Sequence, residues 1–221
     1  MHQSLPMTKL FSKVILTTAY LPPLDYFRII CNSEEVFIES CESYQKQSYR
    51  NRCCIYGSDG ILPLIVPVQR DERRNLVSEV SIADTKMWQG QHIKAITSAY
   101  RSAPYFEHYF DELMPFFSKY DHLFEMNLAF IKHLVAVLEI DSKISLTDSY
   151  VKEPSGYDFD FREAIHPKQK NTFIEDLEKS VYNKYGHYHQ VFAHIYGFIP
   201  NLSILDLLFN EGPQSVYWLK I

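Results

Sequence analysis

The opening of this chain confines it to a small set of folds. Lys13 to Ala19 (KVILTTA) is β-branched and apolar and reads as a buried strand. Tyr20-Leu21-Pro22-Pro23 follows, and paired prolines suit a turn and the first position of a helix. Leu24, Phe27, Ile30 and Cys31 then recur at helical spacing, with Asn32 as a stop. Glu35 to Glu39 (EVFIE) supplies the next strand. Strand, short loop, helix and strand in that order open a βαβ unit, whose second strand normally lies parallel to the first.

The patterning changes further along. Cys53 to Tyr56 and Ile61 to Val68 flank Gly57-Ser58-Asp59-Gly60, a hairpin turn signal, with Pro63 and Pro67 marking an edge strand. Asn75 to Ile82 is expected to add one more strand. Beyond Asp84 the period becomes helical. Trp88, His92, Ala95 and Ala99 share a face of a helix ending near Arg101, and Tyr105 to Met114 restarts after Pro104. Asp121 to Ile140 carries the stripe Leu123, Asn127, Phe130, Ile131, Leu134 and Leu138. Asp141 to Asn171 shows no period, Thr172 to Tyr185 is helical up to Gly186, and Ser203 to Phe209 is a short helix.

The expected fold class is therefore α/β: an N-terminal mixed sheet opening with a strand–turn–helix–strand unit, then a mainly helical C-terminal half. Within one domain, 1–84 is the α/β half, 85–140 is helical, 141–171 is an irregular segment suited to a lid, and 172–221 is a helical tail.

Charge narrows the function. With 22 Lys+Arg against 27 Asp+Glu, the net charge of −5 opposes nucleic-acid binding. No apolar run approaches the roughly 18 residues needed to span a bilayer, so membrane insertion is not expected and a cytoplasmic location is. Cys31, Cys41, Cys53 and Cys54 lack the spacing of a zinc site and suit a reducing compartment. His187, His189 and His194 miss the spacing that places two imidazoles on one helix face, so no metal is expected. Walker, GxGxxG and nucleophile-elbow motifs are missing, and the sequence names neither a cofactor nor an oligomeric state.

Against this acidic background, YQKQSYRNR from Tyr44 concentrates Lys46, Arg50 and Arg52, with Asn51 between the arginines. If the stretch is extended, Lys46, Ser48, Arg50 and Arg52 share one face. Arginine forks suit phosphate or carboxylate, so the expected partner is a small anion such as a nucleotide or nucleotide-sugar. The alternative is that these arginines tie the loop to Glu39 or Glu42. A helix N-terminus after a buried strand is an anion site in its own right, with Tyr20 and Tyr26 at its border. His92 stacks beside Trp88 and is a candidate acid or base. Arg162 lies in the irregular segment, and Asp206, inside ILDLLF, is either paired with a cation or functional.

Three segments together, AYLPPLDYF from Ala19 with YQKQSYRNR from Tyr44, Trp88 and His92 with AYRSAPYFEHYF from Ala99, and YGFIPNLSILDLLFNEGP from Tyr196, resemble the WbqC-like family of bacterial proteins. The resemblance implies a place in surface polysaccharide (O-antigen) biosynthesis. Family members often end the second strand with two acidic residues; here Glu39 is followed by Ser40 and Cys41, and Glu42 is the stand-in. The expected catalytic residues are His92, from its own acid–base chemistry, and Glu39, from the acidic position that the resemblance marks. Tyr20, Tyr26, Tyr44, Lys46, Arg50, Asn51, Arg52, Trp88, Arg162 and Asp206 are the expected substrate contacts. The expected function is transfer of an acyl or aminoacyl group to a nucleotide-linked amino sugar; the alternative is a non-catalytic nucleotide-sugar-binding or assembly protein of the same pathway.

Overall fold

The computed structural model describes residues 9–69, 76–83, 87–117 and 120–221. Strand β1 (Phe11–Thr17), helix α1 (Leu24–Cys31) and strand β2 (Ser33–Glu39) form the expected unit, with β1 and β2 parallel from Phe11↔Ser33 to Thr17↔Glu39. Val14, Ile15 and Leu16 are wholly buried, as befits a strand covered on both faces. Every residue of α1 is buried, including Asp25 and Arg28, which pair with each other at 2.5 Å.

The start of α1 is closed by the tail of the chain. Leu24 N–H donates to the Leu202 carbonyl (3.0 Å), Asp25 N–H to Asn201 Oδ1 (3.0 Å) and Tyr26 N–H to the Pro23 carbonyl (3.1 Å). In return Ile204 N–H donates to the Pro22 carbonyl (2.9 Å) and Ser203 Oγ to the Leu21 carbonyl (2.9 Å). The first-turn donors that would bind an anion already have protein acceptors.

The hairpin consists of β3 (Arg52–Gly57) and β4 (Gly60–Ile65), closed where Gly57 pairs with Gly60. Gly60 takes φ +99°, which favours glycine in so tight a turn. Of the strand expected over 75–82, Val77–Glu79 is a 3₁₀ turn and only Ser81–Ile82 forms a strand, β6, paired with β5 (Val68–Gln69); Asn75 lies outside the described residues.

The 141–171 segment departs from its irregular reading. It supplies β7 (Lys143–Leu146), parallel to β2, and β8 (Phe159–Asp160), parallel to β1. The central sheet is thus four parallel strands in the order β7-β2-β1-β8. Outer strands of four and two residues are too short to give a clear period. Even so, Asp158-Phe159-Asp160-Phe161-Arg162 does alternate polar with apolar.

Helices α2 (Trp88–Tyr100), α3 (Phe106–Leu113), α4 (Leu123–Val137), α5 (Thr172–Tyr185), α6 (Ala193–Tyr196), α7 (Ile204–Glu211) and α8 (Val216–Leu219) complete a mixed α/β fold with a mostly helical C-terminal half. Ser203 caps α7 by accepting from Leu205 N–H, and Asn171 caps α5 by accepting from Ile174 N–H. Most of the buried apolar side chains join in one cluster that runs from Phe11 to Leu219. Among the described residues no helix is long and apolar enough to cross a membrane.

Candidate functional site

In a parallel sheet ligands collect beyond the carboxyl ends of the strands, where adjacent strands connect in opposite directions. Here β1 leads to β2 on one side and has β8 on the other. At that edge lies a cavity of about 690 Å³, walled by Cys41, Glu42, Ser43, Gln45, Tyr150, Asp160, Arg162 and Glu163.

The cavity is built from strand ends. Asp160 closes β8 and holds Arg162 two residues on: Arg162 Nε donates to Asp160 Oδ1 (3.0 Å) and Nη2 to Oδ2 (2.7 Å). Arg162 Nη1 reaches Glu39 Oε2 at 3.2 Å, and the guanidinium carbon lies 5.1 Å from the Tyr150 ring centre. Burial alone would raise the Asp160 pKa, but the hydrogen bonds and charge of Arg162 outweigh it and hold the carboxyl below its ordinary value.

Glu39, at the end of β2, is wholly buried and fully engaged. Its Oε1 accepts from Thr147 Oγ1 (2.6 Å) and Cys41 N–H (3.0 Å), and its Oε2 from Val151 N–H (3.0 Å) as well as Arg162. A carboxylate so bound ties the ends of β2, β7 and β8 together and has no lone pair free for a substrate proton.

Glu42 takes the neighbouring position. It accepts from the Thr17 hydroxyl and from Arg50, whose Nε lies 3.0 Å from Oε1 while Nη2 meets Oε2. Burial raises the pKa of Glu42 against the opposing pull of Arg50 and Thr17. Arg50 also lies 3.9 Å from Glu163, an exposed residue whose Oε1 accepts from Gln45 Nε2 at 2.8 Å.

The YQKQSYRNR stretch is not extended. Gln47 has φ +60°, and Tyr49–Asn51 form a 3₁₀ turn capped by Ser48. Arg50 and Asn51 are buried, Arg52 is half-buried and Lys46 exposed, so the cations do not share one face. Asn51 Nδ2 donates to the Val66 carbonyl (2.8 Å), which joins the turn to the chain after β4.

Several expected site residues are buried in the core and do not line this cavity. The Tyr20 hydroxyl lies 2.9 Å from His92 Nδ1, and the His92 and Trp88 rings pack edge to face. Burial pushes the His92 pKa down to about 4, against a backbone hydrogen bond at Ile65, so its imidazole is neutral at neutral pH. Tyr26 donates to the Thr17 carbonyl (2.7 Å), and Tyr44 is buried. Asp206 accepts from Tyr188 Oη and Gln190 Nε2, both at 2.7 Å, so its partners are neutral rather than cationic. Among the described residues no group of three His, Cys, Asp or Glu side chains is placed to hold a metal ion.

Of the expected contacts, then, Arg162 lines the cavity, with Glu39 and Arg50 supporting its walls. Sequence reasoning passed over Asp160, Glu163, Tyr150, Cys41 and Gln45. The alternation around Asp160 was a signal for the 158–163 residues, and Gln45 lay inside the YQKQSYRNR stretch already singled out.

The sequence model of the WbqC-like protein family matches residues 18–165 and 162–217. The chain is 27% identical over 231 residues to the uncharacterized protein Rv1507c of Mycobacterium tuberculosis, covering 93% of this chain and 96% of that protein. No solved structure matches it.

Proposed function

Because this chain belongs to the WbqC-like protein family, we propose that it is an enzyme of bacterial surface polysaccharide (O-antigen) biosynthesis, working in the cytoplasm. It transfers an acyl or aminoacyl group to a nucleotide-linked amino sugar. The observation that carries this reading is the 690 Å³ cavity at the carboxyl edge of the sheet, with Glu42, Asp160, Arg162 and Glu163 in its wall. Its volume suits a ligand the size of a nucleotide-sugar. Carboxylates accept hydrogen bonds from sugar hydroxyls and amines, and a guanidinium fixed in plane by Asp160 orients an oxygen-bearing group.

In this chemistry the amine nitrogen attacks the carbonyl carbon of an activated acyl group, the activating group departs, and the amine proton passes to a base. Glu163 is the carboxylate suited to take it, since it lies exposed at the cavity wall, hydrogen-bonded by Gln45 and with Arg50 3.9 Å away. Arg162 and Asp160 position the acceptor, and Glu39 positions Arg162.

A second reading, a non-catalytic nucleotide-sugar-binding or assembly protein, is favoured by one observation. The titratable groups first expected to act as acid and base, His92 and Glu39, are both committed to internal hydrogen bonds. A thermal-shift screen with nucleotide-sugars, ATP and acyl-CoA tests both readings, because a ligand of the folded state raises the melting temperature. Stabilisation by a nucleotide-linked amino sugar, followed by a mass increase of that sugar when an activated acyl donor is added, supports the enzyme. Stabilisation without turnover supports the binding protein, and a melting temperature unmoved by every nucleotide-bearing compound rejects both.

A further inference from the structure

Tyr150 is an exposed ring whose position is nevertheless fixed. It lies in the connection from β7 to β8, is 50% exposed and lines the 690 Å³ cavity. Before it, the Thr147 hydroxyl donates to Glu39 Oε1 (2.6 Å); after it, Val151 N–H donates to Glu39 Oε2 (3.0 Å). The short stretch that carries the ring is thus pinned at each end to one buried carboxylate.

One face of the ring is already taken. The Arg162 guanidinium carbon lies over it, 5.1 Å from the ring centre. That side chain is 8% exposed and cannot swing away, because Asp160 holds its Nε and Nη2 while Glu39 holds Nη1 at 3.2 Å. In the same connection Tyr157 packs edge to face on Phe37, with ring centres 5.3 Å apart, as a tyrosine engaged in packing does. Tyr150 has no such ring neighbour among the described residues. With a guanidinium on one face, the half of Tyr150 that meets solvent is the opposite face and the edge.

We infer that the free face of Tyr150 is the platform on which the heterocyclic base of a nucleotide-linked ligand stacks. The inference rests on the functional reading above and adds to it which part of the ligand the β7–β8 connection holds. An aromatic face attracts either a flat π system or the C–H bonds of a sugar ring. A cation fixed behind the ring draws electron density towards itself, so the free face is less negative. That weakens its hold on C–H bonds, while a flat, polarisable base still stacks on it. A ring fixed before the ligand arrives also need not be ordered on binding. With the base on Tyr150, the sugar falls to the wall made by Cys41, Glu42, Ser43 and Gln45 after β2, where Gln45 Nε2 bonds Glu163.

The test is calorimetric titration of the full chain with UMP, CMP, AMP and GMP, with ribose 5-phosphate as the comparator that lacks a base, and with a UDP-linked amino sugar. It uses the wild type, Tyr150→Phe, Tyr150→Leu and a Tyr217→Leu control, each with its melting temperature recorded. At least one nucleotide should bind more tightly than ribose 5-phosphate. Its affinity should be kept in Tyr150→Phe and in the control and fall about tenfold in a folded Tyr150→Leu protein. By NMR, the protons of the bound base should shift upfield in the wild type and in Tyr150→Phe but not in Tyr150→Leu, a ring-current signature that a merely structural role would not produce. Nucleotides that bind no better than ribose 5-phosphate, binding indifferent to Tyr150→Leu, or upfield shifts confined to the sugar protons overturn the platform. A UDP-linked amino sugar that is acylated and bound equally well by Tyr150→Leu overturns it while leaving the functional reading intact. A base stacked on Tyr150 in a protein that acylates no nucleotide-linked amino sugar keeps the platform and removes the enzyme reading.

Discussion

Glu42 and Arg50, eight residues apart, form a bidentate ion pair that is almost wholly buried, with side chains 6% and 2% exposed. The pair joins the segment after β2 to the 3₁₀ turn before β3, and Thr17 at the end of β1 adds its hydroxyl to the same carboxylate. Of the two roles the sequence left open for Arg50, anion contact or tie to an acidic residue, its geometry matches the second.

Arg50→Ala should therefore act on stability first. Removing one partner of a buried pair leaves an uncompensated carboxylate, at a cost of about 3 kcal/mol or more. Arg50→Lys should recover only part, since an ammonium cannot make the two-pronged contact. Chemical denaturation of both variants checks this; an unchanged unfolding midpoint in Arg50→Ala would remove the structural role.

Gly212 should tolerate no side chain. It sits at φ +54° after α7, and a Cβ there would lie 2.5 Å from Tyr105 Cδ1. Gly212→Ala combines left-handed backbone strain with a clash against a ring, on the order of 2–4 kcal/mol together. A melting curve for Gly212→Ala superimposable on that of the wild type would contradict this.

Asp206 makes stability depend on pH. Burial outweighs the hydrogen bonds from Tyr188 and Gln190 and raises its pKa from 3.8 to about 6. A carboxyl that holds its proton more tightly when folded contributes stability that is complete below pH 3.8 and is lost as pH rises through about 6. Asp206→Asn should flatten the fall in unfolding free energy across that window. Urea titrations at several pH values would reveal it, and a mutant with the wild-type slope would refute the assignment.

Arg162→Lys should weaken nucleotide-sugar binding per folded molecule by about 1.5–3 kcal/mol, the scale of a charged hydrogen bond. The lysine cannot span Asp160 and Glu39 together, so the cavity wall loses its fixed cation. Affinity equal to wild type in a folded Arg162→Lys protein would exclude the cavity as the binding site.

The connection between β7 and β8 should be cut first in limited proteolysis, between 147 and 158, where most residues are exposed. Tyr150 lies in that connection and lines the cavity, so a bound ligand should slow the cut. Identical cleavage with and without a stabilising ligand would show that the connection does not cover the site.

Much of the fold was legible because it is encoded locally. α1 was expected from Leu24 with a stop at Asn32, and it spans Leu24–Cys31. α5 was expected over Thr172–Tyr185 and has those bounds, with Asn171 capping its start and Gly186 at φ +73° ending it. β7 and β8 escaped notice because each is held by a neighbour more than a hundred residues earlier: Glu35↔Lys143 and Val14↔Phe159.

The candidate site was less legible, for a related reason. YQKQSYRNR read as a basic face only on the assumption of an extended backbone, and the turn at Gln47 removes that assumption. The first turn of α1 looked open to an anion until Asn201 and Leu202 arrived from the other end of the chain.

By itself the sequence determined the βαβ opening and the longer helices, since hydrophobic period and capping act between residues a few positions apart, while the four-residue α6 and α8 carry too little of either to be read. Only the tertiary structure decided which charges are buried and satisfied and which stay exposed. That depends on carboxylates and guanidiniums brought together from distant strands, as when Glu39 meets Arg162 across 123 residues. A pairing of that kind leaves no periodic trace in the chain, because its energy comes from a contact that exists only once the sheet has formed.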